Sequence, residues 1–271
     1  MSDLMAVSPT LKSPHCEARA MSPEDDDGRA SLSGLVKTIA ELSGRERDQM
    51  HSLLTRYFVG VSRPQFESDL AEKEWAIVLT DQRGAVQGFS TLMRLCTTID
   101  DRPVIAFFSG DTIIAREHWG SSLLARLWVT TVFREAERIR EQSPDTRFYW
   151  LLISSGYKTW RYLPTFFLAY APHPEVQPSP FDRQVMQALA RKKFGDDYDA
   201  VAGIVRFRRA NPLRPGVADV TVRRMRDPLI EFFVRMNPGH EQGDELVCLV
   251  PVCRSNLTPA GLRMLNAGLP Q

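Results

Sequence analysis

Between Trp75 and Ala115 the chain passes through three apolar runs parted by two short turn signals, and then its hydrophobic period changes. The runs are 75–80, 85–99 and 104–115. The breaks are Asp81-Gln82-Arg83-Gly84 and Asp100-Asp101-Arg102-Pro103. Breaks this short let a strand fold back on its neighbour but leave no room for a crossover helix, so antiparallel hairpins are predicted. From Trp119 to about Arg140, residues Leu124, Trp128, Val132, Ala136 and Ile139 recur at helical spacing. Phe148–Ile153 then reads as a strand buried on both faces. Together these predict an α+β domain: a mixed, largely antiparallel sheet flanked by helices.

Upstream, Leu35–Ala40 reads as a first strand. Ser43 and Glu46 form a capping-box pattern ahead of a helix that carries Met50, Leu53, Leu54, Tyr57 and Phe58. A second helix is expected over Phe66–Lys73, after Pro64. Beyond the buried strand, a helix is expected from Tyr157 or Lys158, interrupted or restarted at Pro164. A Pro-rich stretch covers 172–181. Further elements are a helix over 181–194, a strand over 200–208, a Pro/Gly loop over 211–216, a helix over 228–236 and a last strand over 246–252. Residues 1–31 hold Ser, Pro and the acidic run Glu24–Asp27; such a segment buries too little apolar area to order itself, so a disordered tail is expected. Residues 32–271 are then one domain, with an insertion or cover around 172–245.

Composition narrows the function classes. The net charge of +1 gives no global field for nucleic acid or an anionic membrane. No apolar run reaches the roughly 20 residues of a membrane span, and no signal peptide is visible. Four scattered cysteines, with no CxxC pair, argue against a disulfide scaffold and a zinc site. A reducing, cytoplasmic setting without a metal is expected.

Three places carry the chemistry. At 113–124 an apolar run meets the start of the long helix: Ile113-Ile114-Ala115-Arg116-Glu117-His118-Trp119-Gly120-Ser121-Ser122-Leu123-Leu124. A helix N-terminus offers unpaired N–H groups and partial positive charge. Small residues at 120, 121 and 122 allow a phosphate close to the backbone, and Arg116 can add a charge-assisted contact. An ordinary strand–helix turn with serine caps explains the same residues. The second place is Asp111, a carboxylate inside the run Phe107–Ile114. In strand geometry Phe107, Ser109, Asp111 and Ile113 share one face, and desolvation would suit Asp111 to general-base work. Gly110-Asp111 is equally a hairpin turn that would expose the carboxylate. The third place is 154–167, where Tyr157 and Tyr162 are either proton donors or core-edge rings.

The element order and these segments resemble the GNAT acyltransferases. Glu117-His118-Trp119-Gly120-Ser121-Ser122 lies on the frame of that family's pyrophosphate loop, with Glu117 where the family has Gln or Arg. Tyr162, followed three residues later by Phe166-Phe167, resembles the family's Tyr-xxx-Gly-Phe run, with Phe166 in place of Gly. The resemblance implies acyl transfer from acyl-CoA or acetyl-CoA, or from an acyl carrier protein, to an amine or hydroxyl of a small-molecule acceptor. It implies Asp111 as general base and Tyr162 as general acid, with Tyr157 in reserve. Ile113, Ile114, Arg116, Trp119, Gly120, Ser121 and Ser122 would bind the cosubstrate. The long 172–245 segment resembles the acceptor-side covers of long-chain N-acyl amino acid synthases and, more distantly, of acyl-homoserine lactone synthases. A non-catalytic GNAT-like binding module stands as the alternative, and a homodimer is left open. Arg206, Arg208 and Arg209, and Arg223, Arg224 and Arg226, are basic clusters able to hold an anionic group or to stay solvated. His51, His118 and His240 read as surface or loop residues.

Overall fold

The structure, a computed structural model, describes residues 32–267. The tail expected over 1–31 lies outside the described residues. Strand β1 (Ser33–Thr38) leads through a short 3-10 turn into α1 (Gly44–Thr55) and α2 (Arg63–Ala71). Ser43 caps α1 as the capping box requires: its Oγ accepts the Glu46 N–H at 3.2 Å, and Glu46 accepts the Ser43 N–H at 2.9 Å. Pro64 sits in the first turn of α2, where a missing N–H costs nothing. Then come β2 (Trp75–Thr80), β3 (Val86–Ile99) and β4 (Arg102–Ile114), each antiparallel to the one before. Asp100 and Asp101 take the left-handed conformation that closes the β3–β4 hairpin tightly.

Helix α3 (Leu123–Gln142) crosses over and returns the chain as β5 (Arg147–Ser154), parallel to β4. The helix expected after β5, interrupted or restarted at Pro164, is two short ones, α4 (Tyr157–Trp160) and α5 (Tyr162–Phe166), and the break falls at Arg161, with Pro164 inside α5. Helix α6 (Pro180–Phe194) follows. The strand expected over 200–208 is instead a hairpin of β6 (Tyr198–Asp199) and β7 (Ile204–Val205). Its turn is set by Asp199, whose carboxylate accepts the Val201 and Ala202 N–H groups, and by Gly203 at φ 69°. Helix α7 (Pro228–Met236) and β8 (Glu245–Pro251) follow. A final helix, α8 (Pro259–Asn266), was not foreseen, although Thr258 caps it and Pro259 starts it. The sheet order is β1-β2-β3-β4-β5-β8-β7-β6, a mixed α+β architecture.

Strand alternation divides the core. Ile77, Leu79, Leu92, Phe107, Trp150 and Cys248 pack on α3, α4, α5 and α7. On the opposite face Ala76, Val78, Phe89 and Ile113 pack on α1 and α2, while Leu95, Phe108, Tyr149 and Val247 pack on α6.

Candidate functional site

Two irregularities open this sheet at its centre. The first is a bulge in β4. Ser90 pairs with Thr112 but Leu92 pairs with Ser109, so Gly110 and Asp111 together oppose Thr91. The extra residue shifts the alternation. Ser109 faces α3, where Trp128 donates to its Oγ, whereas Ile113 faces α1. This corrects the expectation that Phe107, Ser109, Asp111 and Ile113 share a face. Gly110 and Asp111 both turn toward α2. A Cβ on Gly110 would come within 2.7 Å of the Lys73 side chain and 2.5 Å of Thr91 Oγ1, so any larger residue there forces both side chains to shift. Asp111 lies inside a long strand and not in an exposed hairpin turn.

The second irregularity is a splay. Pairing between β4 and β5 ends at Ser109 and Leu152. Beyond that point β5 continues with β8, as Ile153 with Val247 and Ser154 with Leu246, and β4 is left with an open edge. A cavity of about 610 Å³ occupies the gap and reaches both faces of the sheet. On the α3 side it is walled by Leu124, Trp128, Trp150, Tyr162 and Phe166. On the α2/α6 side it is walled by Asp111, Lys73, Phe108, Lys193, Arg208, Arg209 and Glu245.

The cavity perturbs its ionisable groups. Asp111 is half-buried, and no hydrogen bond reaches its carboxylate among the described residues. Desolvation raises its pKa to about 6; Lys73 opposes the rise and Asp69 adds to it. Glu245, at the start of β8, is pushed up to about 8 by burial and by Asp111. Lys73 is lowered by burial and by Lys193, and its Nζ donates to the Asp69 carbonyl at 2.7 Å. Lys193 and Glu72 pair at 2.5 Å, tying α6 to α2 beside the opening. Arg208 and Arg209 carry no ion pair or hydrogen bond among the described residues, whereas Arg206 is held by Asp199 at 2.6 Å and Asp244 at 3.1 Å. Tyr162 is 37 % exposed, and desolvation raises its pKa. The structure therefore brings Asp111 and Tyr162 to one cavity. Tyr157 is buried beneath the Arg224 guanidinium, 5.7 Å from its ring, and does not line it.

The β4–α3 connection differs from expectation. Helix α3 begins at Leu123 and not at Trp119. Arg116–His118 form a 3-10 turn, the Ser121 N–H is taken by the His118 carbonyl at 2.9 Å, and the Trp119 indole N–H bonds the Ile114 carbonyl at 2.9 Å. Trp119, Gly120, Ser121 and Ser122 thus form the loop ahead of the helix, and with Arg116 they lie outside the cavity wall. Ile113 and Ile114 are not equivalent. The Ala115 N–H bonds Gln87 on β3, so alternation turns the Ile113 N–H to β3 and the Ile114 N–H to the open edge. Ile114 lines the cavity and Ile113 does not.

A strap over residues 211–219 crosses this end of the opening. Its Pro212 carbonyl accepts the Val59 N–H at 2.9 Å, and its Arg214 N–H donates to the Tyr57 carbonyl at 2.7 Å. The Gly216 carbonyl accepts from Arg116 at 3.3 Å, and the Val217 carbonyl accepts from Lys158 at 2.5 Å. Lys158 also stands 3.8 Å above the Trp119 ring. Its pKa is lowered by burial and then by Arg224 and Arg116, so three cations crowd around the strap.

Among solved structures, those similar to this chain include GNAT acetyltransferases. One is a GNAT family N-acetyltransferase from Escherichia coli in complex with CoA, at 17% identity and TM-score 0.34, covering 51% of this chain and 71% of that one. Another is an acetyltransferase from Trypanosoma brucei, at 15% identity and TM-score 0.34, covering 55% of this chain and 100% of that one. A third is a GCN5-related N-acetyltransferase from Kribbella flavida, at 15% identity and TM-score 0.37, covering 52% of this chain and 34% of that one. This chain thus spans about a third of the Kribbella protein's length. No family model matches the chain, and no curated protein matches it.

Glu245, Lys73 and Lys193 are cavity residues that the sequence reading missed. Glu245 opens a run of apolar strand residues, the signal that drew attention to Asp111, but its neighbours lie far away in sequence. His240 is a buried residue whose ring lies tilted 5.6 Å from that of Phe233, and His51 faces Phe66 at 5.4 Å. Among the described residues no group of His, Cys, Asp and Glu is placed to hold a metal. No described helix is long and apolar enough to cross a membrane.

Proposed function

We propose that this chain is an acyltransferase that takes an acyl group from a thioester of CoA, or of an acyl carrier protein, to an amine or hydroxyl of a small acceptor. One observation carries the reading: a cavity passes through the sheet at the β4–β5 splay, with Tyr162 on the α3 side and Asp111 and Glu245 on the α2/α6 side. Two substrates entering from opposite faces meet there without either crossing the core. The acceptor binds on the α2/α6 side, where a carboxylate of raised pKa takes its proton as it attacks. The thioester binds on the α3 side, with the Ile114 N–H at the open edge of β4 facing the amides of its pantetheine arm. Tyr162 protonates the departing thiolate. No covalent enzyme intermediate is required.

The crowded cations Arg116, Lys158 and Arg224 support a phosphate site beside the Gly120 loop. Burial lowers the Lys158 pKa first and the like charges of Arg224 and Arg116 lower it further; a pyrophosphate relieves that repulsion while replacing the strap carbonyls. In this reading residues 32–271 are one domain, and its 172–245 segment, which supplies the strap, is a cover on the acceptor side. The same strap favours a second reading, a GNAT-like binding module without turnover, because it ties up Arg116 and Lys158 at the mouth of the opening.

A thermal-shift titration with CoA, acetyl-CoA and a long-chain acyl-CoA tests the donor site on wild type and on Gly120→Glu. A ligand that binds only the folded state raises its stability by mass action. A saturable rise in wild type, lost in Gly120→Glu, is the expected result. No rise with any thioester removes acyl-CoA as the donor.

A further inference from the structure

We propose that Ser109 is a catalytic hydrogen-bond donor to the carbonyl oxygen of the acyl group, an assignment that rests on the acyl-transfer reading above. Ser109 is the last β4 residue paired with β5, directly before the bulge, and so stands at the apex of the splay. It is 7 % exposed and lines the cavity. Two indoles point at its oxygen: Trp128 Nε1 and Trp150 Nε1 each donate to Ser109 Oγ at 2.8 Å.

A serine hydroxyl has one O–H to donate and two lone pairs to accept with. An indole N–H only donates. Both lone pairs of Ser109 are therefore filled, and its remaining capacity is the O–H. No acceptor meets that O–H among the described residues. A buried donor without an acceptor is unfavourable, so the arrangement is completed by an acceptor from the cavity, water in the free protein and a ligand when one is bound. The two incoming N–H groups also polarise the hydroxyl and strengthen it as a donor.

The geometry selects what the ligand presents. An ammonium or hydroxyl proton meets a site with no acceptor left to offer. A carbonyl oxygen, which only accepts, fits it. The surroundings on this face are the rings of Trp128 and Trp150 with Leu152, which suit a neutral thioester and its acyl chain. As the acceptor attacks, the carbon–oxygen double bond opens and negative charge builds on that oxygen. The Ser109 O–H then faces an oxyanion, a stronger acceptor than the ground-state carbonyl, and keeps its proton throughout. Ser109 is not a nucleophile, because neither indole can take its proton.

The test is isothermal titration calorimetry with CoA, acetyl-CoA and S-ethyl-CoA, the last being a thioether of similar size that lacks the carbonyl. Wild type should bind acetyl-CoA about fivefold or more tighter than S-ethyl-CoA, as a single hydrogen bond supplies. Ser109→Ala should abolish that preference and change CoA affinity by less than about twofold. Ser109→Thr, which keeps the hydroxyl, should retain it. Ser109→Ala leaves two indole donors unpaired, so Ser109→Cys, a weaker donor of similar shape, is measured beside it and should lose at least about half of the preference. A full preference in the Ala or Cys variant, or an equal loss of CoA and acetyl-CoA binding, overturns the assignment while the acyl-CoA reading stands. Failure of wild type to bind any of the three compounds overturns both.

Discussion

Asp111→Asn should make the protein more stable at neutral pH and leave it almost unchanged in acid. Burial holds this carboxyl at about 6 against an ordinary 3.8. The folded chain therefore binds the proton more tightly than the unfolded one, and stability falls as pH rises from 3.8 through 6. One pKa unit corresponds to about 1.4 kcal/mol, so the difference, 6 less 3.8 or about two units, costs the ionised fold about 3 kcal/mol. Asn has nearly the same shape and no charge. The gain in unfolding free energy should rise from near zero at about pH 3.5 to as much as about 3 kcal/mol at about pH 8. For a domain of this size that is roughly 6–12 °C in Tm. Urea melts followed by tryptophan fluorescence across that range measure the difference directly. A variant less stable than wild type at pH 8, or a difference that does not vary with pH, refutes the reasoning. The first result would mean that the Lys73 attraction outweighs desolvation and that Asp111 is a structural ion-pair partner.

Ser43→Ala removes the Oγ that accepts the Glu46 N–H, leaves the backbone N–H of residue 43 on the Glu46 carboxylate, and should cost about 1 kcal/mol in a urea melt, with thioester binding unchanged. Tyr162→Phe loses a hydroxyl that makes no hydrogen bond among the described residues. Stability should stay within about 0.5 kcal/mol, while thiol release from acyl-CoA drops by roughly 10²-fold. An unchanged rate would remove Tyr162 as the proton donor.

Much of the fold was legible because its signals are local. The run Trp75–Thr80 is a strand with the expected limits, Ser43 and Glu46 cap α1 as their spacing predicts, and Pro228–Met236 is a helix with the expected ends. What was not legible depends on partners distant in sequence. The bulge at Gly110–Asp111 exists because Ser90 and Leu92 hold Thr112 and Ser109 in register. Alternation from residue 107 onward therefore assigned Ile113 to the wrong face. The start of α3 slipped from Trp119 to Leu123 because the Trp119 indole is tied to the Ile114 carbonyl. Asp111 and Tyr162 were visible as chemistry-bearing residue types. Glu245 was not, since only the β5–β8 pairing carries it beside Asp111. The strap over 211–219 read as a Pro/Gly loop, and nothing in its composition places it across the β4–α3 end of the opening.

The most direct test of acyl transfer at the splay is release of free thiol from acetyl-CoA and from a long-chain acyl-CoA. It is followed with a thiol-reactive chromophore, with and without a panel of small amines and alcohols, from about pH 5 to pH 9. Acyl transfer at the splay predicts release that depends on the acceptor, falls away on the acid side as the cavity carboxylates protonate, and is lost in Asp111→Asn with thioester binding intact. Saturable binding of the thioester by wild type with no acceptor-dependent release at any pH would contradict it and leave a binding module in its place.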